Sequence, residues 1–181
     1  MSDPHRAPSN LQLRRFALWM AEGFGTGRIA VAPGTFGSVA GFAVFFGLVA
    51  TGSWPLLMLG SVALVWLSVV FCGWAEDILG TRDPGSIVLD EIAAIPVCFG
   101  VWLAFYSHQT GGMPSPAYFL SHWVLVLGVF VGFRFFDILK PWPIRQSQTL
   151  PRGWGVTLDD LLAAVYVNLA VALAIAIGAL D

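Results

Sequence analysis

Two acidic pairs, Asp90-Glu91 and Asp159-Asp160, each fall a few residues inside the start of a long apolar run. A third acid, Asp137, lies between Arg134 and Lys140 near the end of another such run. In a helix, Arg134, Asp137 and Lys140 are three apart and share one face. Ionised carboxylates in apolar surroundings are costly unless they are paired or bound to a cation. The bases of FRFFDILKPWPIR (133–145), namely Arg134, Lys140 and Arg145, offset only part of that charge. A hard divalent ion held by several carboxylates would offset the rest, and Mg²⁺ suits an oxygen-rich, partly hydrated site that a phosphate completes. Adjacent helix positions diverge by about 100°, so one member of each pair is expected to be a ligand and the other to orient. Complementarity to the helix dipole is the milder explanation of such pairs, worth only about 0.3–1 kcal/mol. Their recurrence on two helices, beside a cluster of bases, favours a site.

The elements that must position these groups are apolar runs. Leu56–Ala75 supplies the ~20 residues that a bilayer requires. Ile87–Tyr106, Ala117–Leu139 and Val156–Leu180 follow, and the shorter run Gly37–Ala50 precedes them. Pro141 and Pro143 stop the fourth run's helix and stiffen its exit. Leu11–Phe24 is expected to form a short amphipathic helix on the membrane surface, with Arg14 and Arg15 at the headgroups. The glycine-rich stretch GFGTGRIAVAPGTFGS (23–38) then runs into the first span. Exposed backbone N–H groups with Thr35 and Ser38 at a helix start make an anion-binding arrangement, although the same residues serve ordinary capping.

Composition sets the class. The chain is 57% hydrophobic and 11% charged, with a mean hydropathy of +0.76. That excludes an ordinary soluble domain and predicts an all-α polytopic membrane bundle of about four to five spans plus the N-terminal interfacial helix. A net charge of −2 without basic runs interleaved with aromatics gives no footprint for nucleic acid. Cys72 and Cys98 lie within apolar runs and are expected to be buried thiols. Residues 1–10 are polar and expected to be flexible, and 11–181 to form a single membrane-embedded domain. The first 30 residues lack the compact apolar stretch and cleavage site of a signal peptide.

Lys and Arg alternate between loops. Arg6, Arg14, Arg15 and Arg28 precede the first span, Arg82 lies in the 76–86 loop, and Lys140, Arg145 and Arg152 in the 140–155 loop. The 51–55 turn, the 107–116 loop and the C-terminal end have none. The positive-inside rule then makes the N-terminus cytoplasmic and gathers the acid and base residues on that side. Glu76 and Asp77 read as a solvated helix end, while His108 and His122 fall toward the opposite face as interfacial or packing residues. A divalent ion, bases, hydroxyls and a glycine-rich loop at the inner leaflet suggest a phosphorylated lipid headgroup, because phosphoryl chemistry is mostly positioning and charge neutralisation.

The motifs APGTFGS (32–38), DPGSIVLDE (83–91), FRFFDILKPWPI (133–144) and GWGVTLDD (153–160), in that order, resemble the phosphatidylglycerophosphatase A family. The resemblance covers most of the chain from about Gly23. It departs from the family at Leu89, Ala93-Ala94, Arg152 and Ala163-Ala164, none of them a charged motif position. The resemblance implies an all-helical, Mg²⁺-dependent phosphatase of the bacterial inner membrane that converts phosphatidylglycerophosphate to phosphatidylglycerol. It implies Asp90, Glu91, Asp137, Asp159 and Asp160 for metal and catalysis. Thr35, Ser38, Arg134, Lys140 and Arg145 would hold phosphate, with Asp83 and Ser86 as further candidates. Either water or a carboxylate could be the nucleophile. A transporter or ion-binding membrane protein, which would carry charge near the midplane, and a lipid-headgroup transferase, which would release no phosphate, are the competing classes.

Overall fold

The computed structural model describes residues 7–180. Residues 1–6 of the expected flexible terminus, Arg6 among them, and Asp181 lie outside the described residues. Among the described residues the chain is helical with no strand, as the composition required.

Helix α1 (Leu11–Ala21) is capped by Asn10, whose Oδ1 accepts from the backbone N–H of Gln12 at 2.8 Å. It buries Ala17 and Ala21 and turns Leu11, Phe16 and Trp19 outward. Large apolar side chains turned outward beside Arg14 and Arg15 suit a membrane surface. A 3-10 turn, Gly23–Arg28, leads on. Helix α2 (Pro33–Ala50) opens at Pro33, whose fixed φ is already helical and whose missing N–H has no helical partner to lose. Helix α3 (Trp54–Leu79) is capped by Ser53 and ends at Gly80 in the left-handed conformation, φ +68°.

The third apolar run is not one straight helix. Helices α4 (Leu89–Cys98) and α5 (Gly100–Thr110) meet at Phe99. Pro96 donates no backbone hydrogen bond and its ring crowds the preceding turn. Asn168, on helix α9 (Gly153–Ala176), meets the freed groups. Its Nδ2 donates to Val97 O at 2.8 Å and its Oδ1 accepts from Val101 N at 2.7 Å. The fourth run is also divided, into α6 (Pro116–Ser121) and α7 (Trp123–Leu139), with His122 between them. The short helix α8 (Ile144–Ser147) precedes α9.

Pro33–Ala50, Trp54–Leu79, Leu89–Thr110 and Gly153–Ala176 are each long and apolar enough to cross a membrane. Helix α7, 17 residues long, rises about 25 Å at 1.5 Å per residue, close to the shortest span a bilayer accepts. The main core lies between these helices. Phe45 stacks on Phe99 at 4.2 Å between centroids, with Phe119 edge-on to both. Cys72 and Cys98 are buried free thiols, as expected. The start of α2, the end of α3, the starts of α4 and α9 and the end of α7 meet at one end of the bundle, where side chains from these elements touch. His122 stacks on Tyr118 at 4.0 Å, at the start of α7 and so away from that end.

Candidate active site

Asp83, Asp90, Glu91, Asp137, Lys140, Asp159 and Asp160 line one cavity of about 260 Å³ together with Gly85, Ile87 and Ile138. Helix placement explains the convergence. The acidic pairs stand in the first two turns of α4 and α9, while Asp137 and Lys140 stand in the last turn of α7 and at its cap. Lys140 takes the left-handed conformation, φ +45°, ending α7 just before Pro141. The two acidic pairs are built alike: Asp90 Oδ1 accepts from Glu91 N at 3.0 Å and Asp159 Oδ1 from Asp160 N at 3.1 Å.

Bases cross-link the acids. Arg134 Nη1 lies 3.0 Å from Glu91 Oε1 and 2.8 Å from Asp137 Oδ2, tying α7 to α4. Lys140 Nζ lies 2.5 Å from Asp159 Oδ2 and 3.9 Å from Asp137 Oδ1, tying α7 to α9. Burial alone would lower the Lys140 pKa, but the hydrogen bond to Asp159 and the charges of Asp159, Asp137 and Asp160 outweigh it and hold the pKa above the ordinary lysine value. Asp160 feels the charges of Asp90, Asp137, Asp159 and Glu91. Its Oδ2 is buried and has no hydrogen-bond partner, and the same holds for Glu91 Oε2.

Such orphaned carboxylate oxygens are rare unless something else meets them. A donor set made only of oxygens, with Asp160 Oδ2 unpartnered, fits a hard cation such as Mg²⁺. Among the described residues no three His, Cys, Asp or Glu side chains are already grouped as a metal cage. Three of the six acids, Glu91, Asp137 and Asp159, are instead engaged with the two bases.

The other sequence candidates occupy different places. Glu91 lies against Gly34 and Gly37 at the start of α2. A Cβ at Gly37 would stand 2.5 Å from Glu91 Oε2, and one at Gly34 would overlap Glu91 Oε1. The positive end of α2 therefore faces a carboxylate of the chain itself. Ser38 is fully buried and donates to Gly34 O at 2.8 Å, while Thr35 is half-buried in the first turn. Ser86 is half-buried in the entrance loop, residues 80–88 between α3 and α4, and Arg145 is exposed on α8, forming no ion pair with a described residue. Arg134 stands behind the cavity wall rather than in it.

Glu76 is not the solvated helix end that its position suggested. It is 8% exposed and its Oε1 accepts from the backbone N–H of Asp83 at 2.9 Å, holding the entrance loop. Gln148 is a site residue that the sequence reading missed, donating to both Asp159 and Asp83. A neutral amide in a polar loop carries no signal that would have found it.

Comparison with known proteins agrees with the motifs. Residues 19–175 match the family model of phosphatidylglycerophosphatase A. A phosphatidylglycerophosphatase A of Haemophilus influenzae is 37% identical over 153 residues, covering 84% of each chain. That of Escherichia coli K12 is 31% identical over 164 residues, covering 89% of this chain and 86% of its own. A Bacteroides thetaiotaomicron protein, described provisionally as a phosphatidylinositol-3-phosphatase, is 32% identical over 155 residues, covering 84% of this chain and 89% of its own. No solved structure matches the fold significantly. With its four motifs and nearly its whole length matched, this chain belongs to the phosphatidylglycerophosphatase A family.

Proposed function

We propose that the protein is a phosphatase that hydrolyses phosphatidylglycerophosphate to phosphatidylglycerol and phosphate. The reaction takes place at the cytoplasmic end of its bundle in the bacterial inner membrane, as a step of phospholipid synthesis with Mg²⁺ as cofactor. The observation that carries this reading is the single cavity into which α4, α7 and α9 deliver five acids and Lys140. Charge at the end of the bundle suits a lipid headgroup better than the midplane charge of a transporter. The family's relatives from two bacteria carry the phosphatidylglycerophosphatase name.

Asp90 and Asp160, with Asp137 beside them, would hold the ion, and Mg²⁺ when bound would neutralise charge on the phosphoryl oxygens. Asp159 has both oxygens engaged, by Asp160 N on one side and by Lys140 and Gln148 on the other. It orients rather than ligates. Lys140 presents the positive charge nearest a phosphate in the cavity, and Arg134 fixes Glu91 and Asp137. Water attacks phosphorus as the bond to the lipid oxygen breaks. A carboxylate of the cavity takes the water's proton and passes it to the departing lipid oxygen, so that phosphatidylglycerol leaves as the alcohol.

The test is phosphate release by purified protein from phosphatidylglycerophosphate in vesicles, with Mg²⁺ and with chelator. Release that stops with chelator and returns with Mg²⁺ is expected. Phosphate-free turnover would indicate a transferase, and activity indifferent to chelator would remove the cofactor. Phosphatidylinositol-3-phosphate serves as the second substrate and is expected to react more slowly. Inverted membrane vesicles are expected to hydrolyse externally added substrate, and right-side-out vesicles to leave it intact.

A further inference from the structure

Gln148 follows α8 and belongs to none of the charged motifs, yet its side chain sits between two of them. Its Nε2 stands 2.9 Å from Asp159 Oδ2 and 3.3 Å from Asp83 Oδ2. Both acids line the 260 Å³ cavity, Asp159 from α9 and Asp83 from the loop between α3 and α4. An amide nitrogen carries two hydrogens, one for each carboxylate. Asp83 lines a second, smaller cavity of about 20 Å³ as well, there together with Gln148, Glu76, Arg82 and Arg152, so Asp83 stands between two polar spaces and Gln148 reaches it from the smaller one.

The two acids are held very differently. Asp159 is 3% exposed and also accepts from Lys140. Asp83 is exposed and sits at φ +46°, a left-handed conformation that aspartate takes more readily than most side chains. Its backbone N–H is tethered to Glu76 Oε1, but its carboxylate has only Gln148 as a hydrogen-bond donor among the described residues. Without that donor, two like charges face each other and the loop loses its link to α9.

We propose that Gln148 is a positioning residue: its amide clasps Asp83 of the entrance loop to Asp159 of α9 and so sets the mouth through which a phosphorylated headgroup enters. The clasp stands on the geometry alone, and the headgroup clause rests on the phosphatase reading. Three substitutions separate donor chemistry from bulk. Gln148→Met keeps the length and removes the donor. Gln148→Glu keeps the shape and adds a third carboxylate. Gln148→Lys supplies donors again through a different group.

The experiment reads hydrogen exchange of residues 80–88 in the full-length protein in detergent, alongside KM and kcat for phosphatidylglycerophosphate. Gln148→Met is expected to speed exchange in that loop about tenfold, the loss of one hydrogen bond to a charged group. Exchange in α9 should stay as in the parent protein. Gln148→Glu is expected to exchange at least as fast as Gln148→Met, and Gln148→Lys to return near the parent rate. KM is expected to follow the same order and to move more than kcat. Loop exchange unchanged in Gln148→Met, or as fast in Gln148→Lys as in Gln148→Met, overturns the clasp. Exchange in the expected order with KM unmoved overturns the role at the mouth. Exchange in the expected order with no phosphate release by any form, parent included, overturns the phosphatase reading and supports the clasp.

Discussion

Lys140 at the end of α7 reaches Asp159 on α9, Nζ to Oδ2 at 2.5 Å, and so joins the helix that ends at the site to the last helix that begins there. The side chains are 24% and 4% exposed, respectively. Removing one partner of such a pair strands a buried charge, an effect of about 3–5 kcal/mol when burial is complete. Lys140→Met is expected to lose stability toward the lower end of that range. The sign of its pH dependence follows from the raised Lys140 pKa. A raised lysine pKa contributes stability that is fully present below the unfolded value of about 10.4 and is lost as pH rises through the folded value. Thermal unfolding in detergent should therefore show a gap between parent and Lys140→Met at about pH 8 to 9 that narrows above about pH 10. No gap at about pH 8 to 9 would contradict the pairing.

The second expectation concerns Glu91 and the glycines it rests on. A Cβ at Gly34 would run into Glu91 Oε1 and lie within 3.0 Å of both Arg134 terminal nitrogens. Gly34→Ala must displace the Glu91–Arg134 pair, and activity is expected to fall more than about tenfold, as near-contact misplacement at a catalytic site does. Gly47→Ala, on the same helix with nothing near its Cβ, is the control. It is expected to keep full activity and gain up to about 1 kcal/mol of helix stability. Equal activity of the two variants would show that the close approach does not matter.

Asn168 gives the third. It satisfies Val97 O and Val101 N on either side of the break in the third span. Replacing it with leucine leaves both half-buried groups unmet, each at about the lower end of the 1–3 kcal/mol that a fully buried group costs. Unfolding of Asn168→Leu in detergent or denaturant should show a loss in that range, although Asn168 lies far along α9 from the acids at its start. Asn168→Gln, which cannot place both atoms as well, is expected to fall between.

Much of this arrangement was legible in the sequence because it follows from periodicity and charge. The apolar runs marked the spans, and the bases and acids at their ends marked one rim. Adjacent acids diverge around a helix, and Asp159 has its oxygens engaged by Asp160 N, Lys140 and Gln148 while Asp160 Oδ2 has no hydrogen-bond partner among the described residues. Contacts between distant segments were not legible. Gly34 and Gly37 promised an anion site, but nothing local told that Glu91, 57 positions after Gly34, fills the space. Glu76 looked solvated because burial by the 80–88 loop is a tertiary fact. Ile87–Tyr106 read as one uninterrupted run, and the repair of its break depends on Asn168, 72 positions after Pro96. Gln148 was invisible for the same reason, being uncharged and ordered only by partners from other elements.

The most direct test compares phosphate release from phosphatidylglycerophosphate by the parent protein with that by Asp90→Asn and Asp160→Asn, each purified and shown to insert and fold. Both replacements keep size and remove charge, and each is expected to lower kcat by about 10²–10⁴-fold, the usual contribution of a positioned acid or base. Thermal stability should be unchanged or raised, because a buried carboxylate is relieved of its neighbours' charge. Near-parental turnover in both variants would contradict a phosphatase site built on these carboxylates.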